Sequence, residues 1–125
     1  MVTLRVLPGR LGICRFDPNT PMPSSLPGGN FFCAVRTEGE LSVVCDESVV
    51  PSAVKAQRGW RAFRVEGTLD FSLTGILASI ANPLAEAKVS IFAVSTFDTD
   101  YVIVKEADLA RATSALEAAG IPVKP

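Results

Sequence analysis

Asp98 and Asp100 lie two residues apart in a polar insert, Ser95-Thr96-Phe97-Asp98-Thr99-Asp100, between the apolar runs Val89–Val94 and Tyr101–Val104. A tight hairpin needs only about two connecting residues, so six are more than a turn requires. The two carboxylates suit a ligand ammonium or guanidinium, because a charge-assisted hydrogen bond is about twice as strong as a neutral one. A second feature stands upstream, "FSLTG" at residues 71–75, where a helix is expected to begin. A helix N-terminus offers unsatisfied N–H groups and the positive end of a dipole, both suited to a ligand carboxylate. Gly75 lets a ligand or a second backbone approach where any side chain would intrude.

Each of these residues also has a plainer use. Asp70 either caps the helix or meets a ligand. Asp98 is most simply a solvated loop residue that holds its own turn. Ser90 alternates onto the strand face of Phe92 and Val94, which suits an ordinary edge position as well as a contact. Trp60, Phe63 and Phe92 read as core or interface residues, not as stacking platforms.

Catalysis has little to work with. The sequence has no histidine, which removes Ser-His-Asp and Cys-His chemistry, His-ligated metals and the commonest general base. An enzyme built on Asp98 and Asp100 as a carboxylate pair lacks an accompanying nucleophile or metal cluster. Cys14, Cys33 and Cys45 are odd in number, widely spaced and set in apolar runs. That pattern predicts reduced, buried thiols in a reducing cytoplasm, and no structural zinc. The expectation is a non-catalytic chain with no metal and no cofactor.

The formal net charge of −1 carries no footprint for nucleic acid. Arg58, Arg61 and Arg64 in "RGWRAFR" form a local basic cluster, read as a solvated strand edge in preference to a phosphate site. No apolar run approaches the roughly 18 residues of a membrane span, and no signal-peptide pattern opens the chain. A cytoplasmic protein of one domain, or two very small ones, is expected.

Several elements must position these groups. "VTLRVL" and "LGICRF" read as short strands around "PGR". Residues 17–30, "DPNTPMPSSLPGGN", hold four prolines and two glycines, which forbids regular structure. "FFCAVRT" and "ELSVVCDE" form a hairpin turning at "EG". "VVPSAVKAQ" reads as one short helical turn, and "WRAFRVEG" as a half-buried strand. Leu73, Ile76, Leu77, Ile80 and Leu84 recur at helical spacing, with Asp70 or Ser72 as the N-cap and Pro83 kinking or ending the helix. After the two strands of the opening feature, "KEADLARATSALEAAG" is an alanine-rich helix stopped by Gly120, and "IPVKP" supplies a last edge strand. Strand, helix, strand, strand, helix, strand is the split βαβ order, an α+β antiparallel sheet with both helices on one face.

Residues 60–104 carry a further pattern. "WRAFRVEGTLDFSLTGIL" and "PLAEAKVSIFAVSTFDTDY" resemble the ACT-type ligand-binding domains, the βαββαβ (ferredoxin-like) regulatory modules of aspartate kinases. The match is closer to small bacterial tandem ACT-like proteins, which are similar to the animal cytosolic arginine sensor. The resemblance implies an ACT domain over residues 60–125, preceded by a degenerate ACT-like, β-rich unit over 1–59. It implies an amino-acid-binding regulatory or sensor domain that forms a homodimer, holds its ligand at an interface between ACT units and informs an enzyme or other protein. Carried over by position, the ligand-binding residues are Asp70, Thr74, Gly75 and Ile76 at the helix start and Thr96, Phe97 and Asp100 at the hairpin. Ser90 and Ile91 of a neighbouring unit hold the ligand's carboxylate, and Asp100 meets its cationic end. Leu73 stands where the sensor has a further acidic contact. The alternative is a structural protein-interaction domain whose pocket is vestigial.

Overall fold

The computed structural model describes residues 2–67 and 74–125. The chain divides into two compact units, one formed by residues 8–60 and one by the N-terminal stretch through Leu7 together with Arg61–Pro125.

In the unit of residues 8–60, β2 (Leu11–Phe16) pairs antiparallel with β4 (Leu41–Asp46), and β3 (Cys33–Arg36) pairs antiparallel with β4. The expected hairpin between the last two is present, and the Thr37 N–H closes its turn by donating to Glu40 O at 2.8 Å. The first residues of β5 (Lys55–Val65) pair with β2. The register slips between Leu11 and Ile13, where Gly59 adopts φ +77° and makes a bulge. Glu47 anchors that bulge, accepting from the Gly59 N–H at 2.7 Å. The helical turn expected over "VVPSAVKAQ" falls earlier, as a 3₁₀ turn at Glu47–Val49, and Lys55 already begins a strand. The reason is Asp46, whose carboxylate accepts from Ser48 N at 2.9 Å and nucleates the turn there. The core of this unit joins Cys14, Leu41, Val43, Cys45 and Val50 to Leu26 of the proline-rich segment.

In the other unit, β5 is followed by α1 (Ile76–Glu86), β6 (Ile91–Ser95), β7 (Asp100–Lys105), α2 (Leu109–Ala118) and β8 (Val123–Lys124). This is the ferredoxin-like α+β order expected from the sequence. Leu4, Phe63, Val65, Val102 and Val104 from the strands pack with Ile80, Leu84, Ala112 and Leu116 from the helices, so both helices cover one face.

One strand departs from the expectation that residues 1–59 act together. Here β1 (Leu4–Val6) runs antiparallel to β5 and parallel to β8, between the two. Leu4 is fully buried in the helix-covered core. A three-residue strand has no local signal of its partner, and burial of Leu4 against Phe63 and Val65 decides the pairing.

Both helices end in the same way. Gly120 takes φ +86° after α2, and Ile121 N–H donates back to Leu116 O at 3.0 Å, a Schellman closure sealed by two buried apolar residues. After α1 the left-handed position is Lys88, at φ +61°, and Val89 N–H donates to Leu84 O at 2.9 Å. That closure carries α1 on to Glu86, three residues beyond Pro83. The start of α1 also differs from expectation. Its N-cap is Gly75 at φ +78°, with no side-chain cap; Asp70 and Ser72 lie outside the described residues.

Candidate functional site

The β6–β7 hairpin is tighter than its sequence suggests. Ser95 and Asp100 face each other as the last ladder pair, so only Thr96–Thr99 form the connection. Thr96 N–H donates to Thr99 O at 2.8 Å, and Thr99 N–H donates to the Thr96 hydroxyl at 3.2 Å. Thr99 is the one buried polar residue among those described, and its hydroxyl donates to Val65 O at 2.8 Å. Two of the three insert hydroxyls therefore build the turn and tie it to β5. Phe97 and Asp98 are left at the tip, Phe97 with 80% of its surface exposed.

Strand alternation assigns the rest to faces. Asp100 shares the side of Val102 and Val104, the helix-covered side, and is half-buried. Thr74 and Gly75 are exposed just before α1, and Ile76 packs on the core of that same side. Helix start and Asp100 thus belong to one side of one unit. Asp70 is not among the described residues. A Cβ at Gly75 would meet nothing within 4 Å among the described residues, and the positive φ of +78° itself favours glycine there.

Ser90 and Ile91 are both exposed at the other end of the hairpin. Four residue steps from Ile91 to Ser95 place them about 13 Å from the turn, at ~3.3 Å per residue. One subunit does not bring Ser90 and Ile91 to its own Asp100.

The sheet face away from the helices carries Arg64, which the sequence reading treated as a solvated edge charge, together with Arg5 and Glu66. Arg5 and Arg64 are directly opposite in the β1–β5 ladder, an arrangement that repels on its own. Glu66 bridges them, accepting from Arg5 Nε at 2.8 Å and from Arg64 Nη2 at 3.0 Å. Hydrogen bonds from Arg64 and then Arg5 hold the Glu66 carboxyl below its ordinary range. The bond to Glu66 raises the Arg64 guanidinium, which also hydrogen-bonds the Tyr101 side chain. Arg64, Gly67, Thr96, Asp98, Thr99 and Tyr101 line a cleft of about 300 Å³. Of these residues the sequence offers Thr96 as a carried-over contact and Asp98 as a carboxylate suited to a ligand cation. Arg64 was read as a solvated edge charge and its link to Tyr101 was not visible, because their adjacency is made by strand pairing across 37 residues of chain.

The cysteines are free. Cys14 and Cys45 are buried as expected; Cys33 is half-buried, because β3 lacks a second neighbouring strand among the described residues. Burial pushes the Cys45 thiol up to about 12, helped by Cys14 beside it. The described residues contain no cluster of three metal-ligating side chains, and no helix long and apolar enough to cross a membrane.

A sheet of this strand–helix order, with both helices on one face, is the ferredoxin-like α+β architecture. Residues 55–118 match the ACT domain family, and residues 9–53 match a second model described as an N-terminal domain. The chain belongs to the ACT domain family. The human cytosolic arginine sensor for mTORC1 subunit 1 is 38% identical over 96 residues, covering 70% of this chain and 28% of that protein. The chain thus spans about a quarter of the length of that curated relative. A crystal structure of an Agobacterium tumefaciens protein superposes with a TM-score of 0.93 at 36% identity, over 98% of this chain and 91% of that one. The regulatory subunit of aspartate kinase from Thermus thermophilus shares the fold, with a TM-score of 0.62 at 10% identity over 89% of this chain and 93% of that one.

Proposed function

We propose that this protein is a cytoplasmic, non-catalytic regulatory module that binds a free amino acid and passes its presence to an enzyme or other protein. The observation that carries the reading is membership of the ACT domain family together with a stretch similar to a protein named as an arginine sensor. The ligand lies at an interface between ACT units of two subunits. Asp100 meets its cationic end, at the hairpin that also offers Thr96 and Phe97. Asp70, Thr74, Gly75 and Ile76 supply the helix-start wall, where backbone N–H groups face outward. Ser90 and Ile91 of the second subunit hold the carboxylate. The 13 Å or so that separates them from the turn within one subunit supports the need for a dimer.

Thermal denaturation against each of the twenty amino acids tests this reading. A ligand at a hundredfold excess over its dissociation constant adds about 2.7 kcal/mol of stability. Asp100→Ala is expected to reduce that gain and leave the unliganded protein folded. A flat response to every amino acid at millimolar concentration overturns the proposal. It leaves instead an interaction domain with a vestigial pocket, which still dimerises.

A further inference from the structure

The hairpin has two sides, and Asp100 and the helix start of the proposed ligand site lie on the helix-covered one. On the opposite side one carboxylate, Glu66, serves two guanidinium groups, Arg5 and Arg64. A cleft lies beside this cluster and shares Arg64 with it. The cleft's own charged lining is one cation, Arg64, and one anion, Asp98 at the exposed turn tip. Thr96, Thr99 and Tyr101 add hydroxyl oxygens, and Gly67 at φ +82° presents backbone without a side chain in the way. The volume of about 300 Å³ is at the small end of ligand sites, which suits a molecule of amino-acid size.

We infer that this cleft is a second small-molecule site, one that takes a zwitterion with its carboxylate on Arg64 and its ammonium on Asp98. Glu66 is a positioning residue: it relieves the Arg5–Arg64 repulsion and fixes the Arg64 guanidinium in the plane it presents. The Tyr101 side chain steadies the same group from the strand across. Arg is suited to this task because its planar fork meets a carboxylate bidentately, whereas lysine offers a point charge. Thr99, locked to Val65, sets the depth of the cleft floor. The inference shares with the proposed function the class of ligand and one residue, Thr96. Its contacts, apart from Thr96, are different residues on the other sheet face.

Amide chemical-shift mapping of the full chain, titrated with each L-amino acid to 10 mM, tests it. At least one amino acid is expected to move the Gly67, Asp98, Thr99 and Tyr101 amides together. Arg64→Gln and, independently, Asp98→Asn are expected to weaken that response about tenfold or more, as loss of a charged hydrogen-bond partner does. The methyl ester of the same amino acid should lose binding in the unmodified protein, and Arg64→Lys should recover part of the Arg64→Gln loss. Asp98 is exposed, so Asp98→Asn keeps the test valid if Arg64→Gln fails to fold. Shifts confined to Thr74–Ile76 and Asp100 overturn the second site and leave the proposed function standing. Equal affinities in the unmodified protein, Arg64→Gln and Asp98→Asn overturn it too. Silence at every amide overturns both readings.

Discussion

One unit of this protein covers its sheet with two helices; the other covers its sheet with a loop. In the unit of α1 and α2, helical periodicity repeats apolar residues on one stripe, and Ile80, Leu84, Ala112 and Leu116 reach the strands from it. In the unit of residues 8–60 the cover comes from the proline-rich segment. Leu26 there is 1% exposed, with Met22 packed beside it. Arg36 pins this segment by donating to Pro18 O and, at 2.9 Å, to Thr20 O, and Asn30 donates to Pro8 O at 3.3 Å. The difference teaches that a segment barred from regular structure can still close a core. Its prolines limit the freedom it has to lose on ordering, and side-chain donors satisfy the carbonyls that a helix would satisfy internally.

The largest effects test whether the loop really equals a helix as cover. Leu84→Ala in α1 and Leu26→Ala in the loop are each expected to cost about 2–5 kcal/mol in chemical denaturation. Trp60, the single tryptophan, lies in the unit of residues 8–60 and reports the second variant by fluorescence. A cost below about 1 kcal/mol for Leu26→Ala, with Leu84→Ala in the expected range, breaks the comparison.

A pH profile separates the units next, because all three cysteines belong to the loop-covered one. The folded Cys45 thiol titrates near 12 and an ordinary thiol at 9.0. Above pH 9.0 the unfolded chain therefore releases a proton that the folded chain still holds, so stability falls as pH rises from 9.0 towards 12. Cys45→Ala is expected to flatten that alkaline limb in a Trp60-monitored unfolding series. An unchanged slope in the variant removes burial of the thiol as its cause.

A smaller effect belongs to the hairpin. Thr99→Val keeps the shape and removes the donor to Val65 O, with an expected loss of about 1–2 kcal/mol. If instead stability holds and only ligand response changes, the hydroxyl has no structural part. Smallest, and opposite in sign, is Lys88→Gly at the end of α1. Glycine adopts the left-handed conformation without strain, and a gain of about 0.5–1 kcal/mol is expected in thermal melts. The Gly120 end of α2 already has that residue, so no comparable gain is available there.

How much was legible follows from how far apart the deciding residues are. The α1 stripe, the Gly120 stop, the hairpin at "EG" and the βαββαβ order rest on contacts within a few residues or on periods of 2 and 3.6, and all are visible in the chain. The hairpin's true length was not. Thr96 and Thr99 look like free polar groups until the Thr96 amide is seen bonded to the Thr99 carbonyl. At Gly75 the positive φ, which favours glycine, was not visible in the chain. Arg64 was read as edge charge because its partners Arg5 and Tyr101 come from distant strands.

By itself, then, the sequence determined the elements of the helical unit, the absence of histidine chemistry and the resemblance that led to the ACT domain family. These depend on composition and short-range spacing, which the chain carries locally. Tertiary structure alone decided that β1 lies between β5 and β8, that Leu26 closes a core, and that Arg5, Glu66, Arg64, Asp98 and Tyr101 share one face of a sheet. Those facts come from strand register and burial. Both are settled by which long-range pairing removes the most apolar surface from water while leaving buried polar groups bonded.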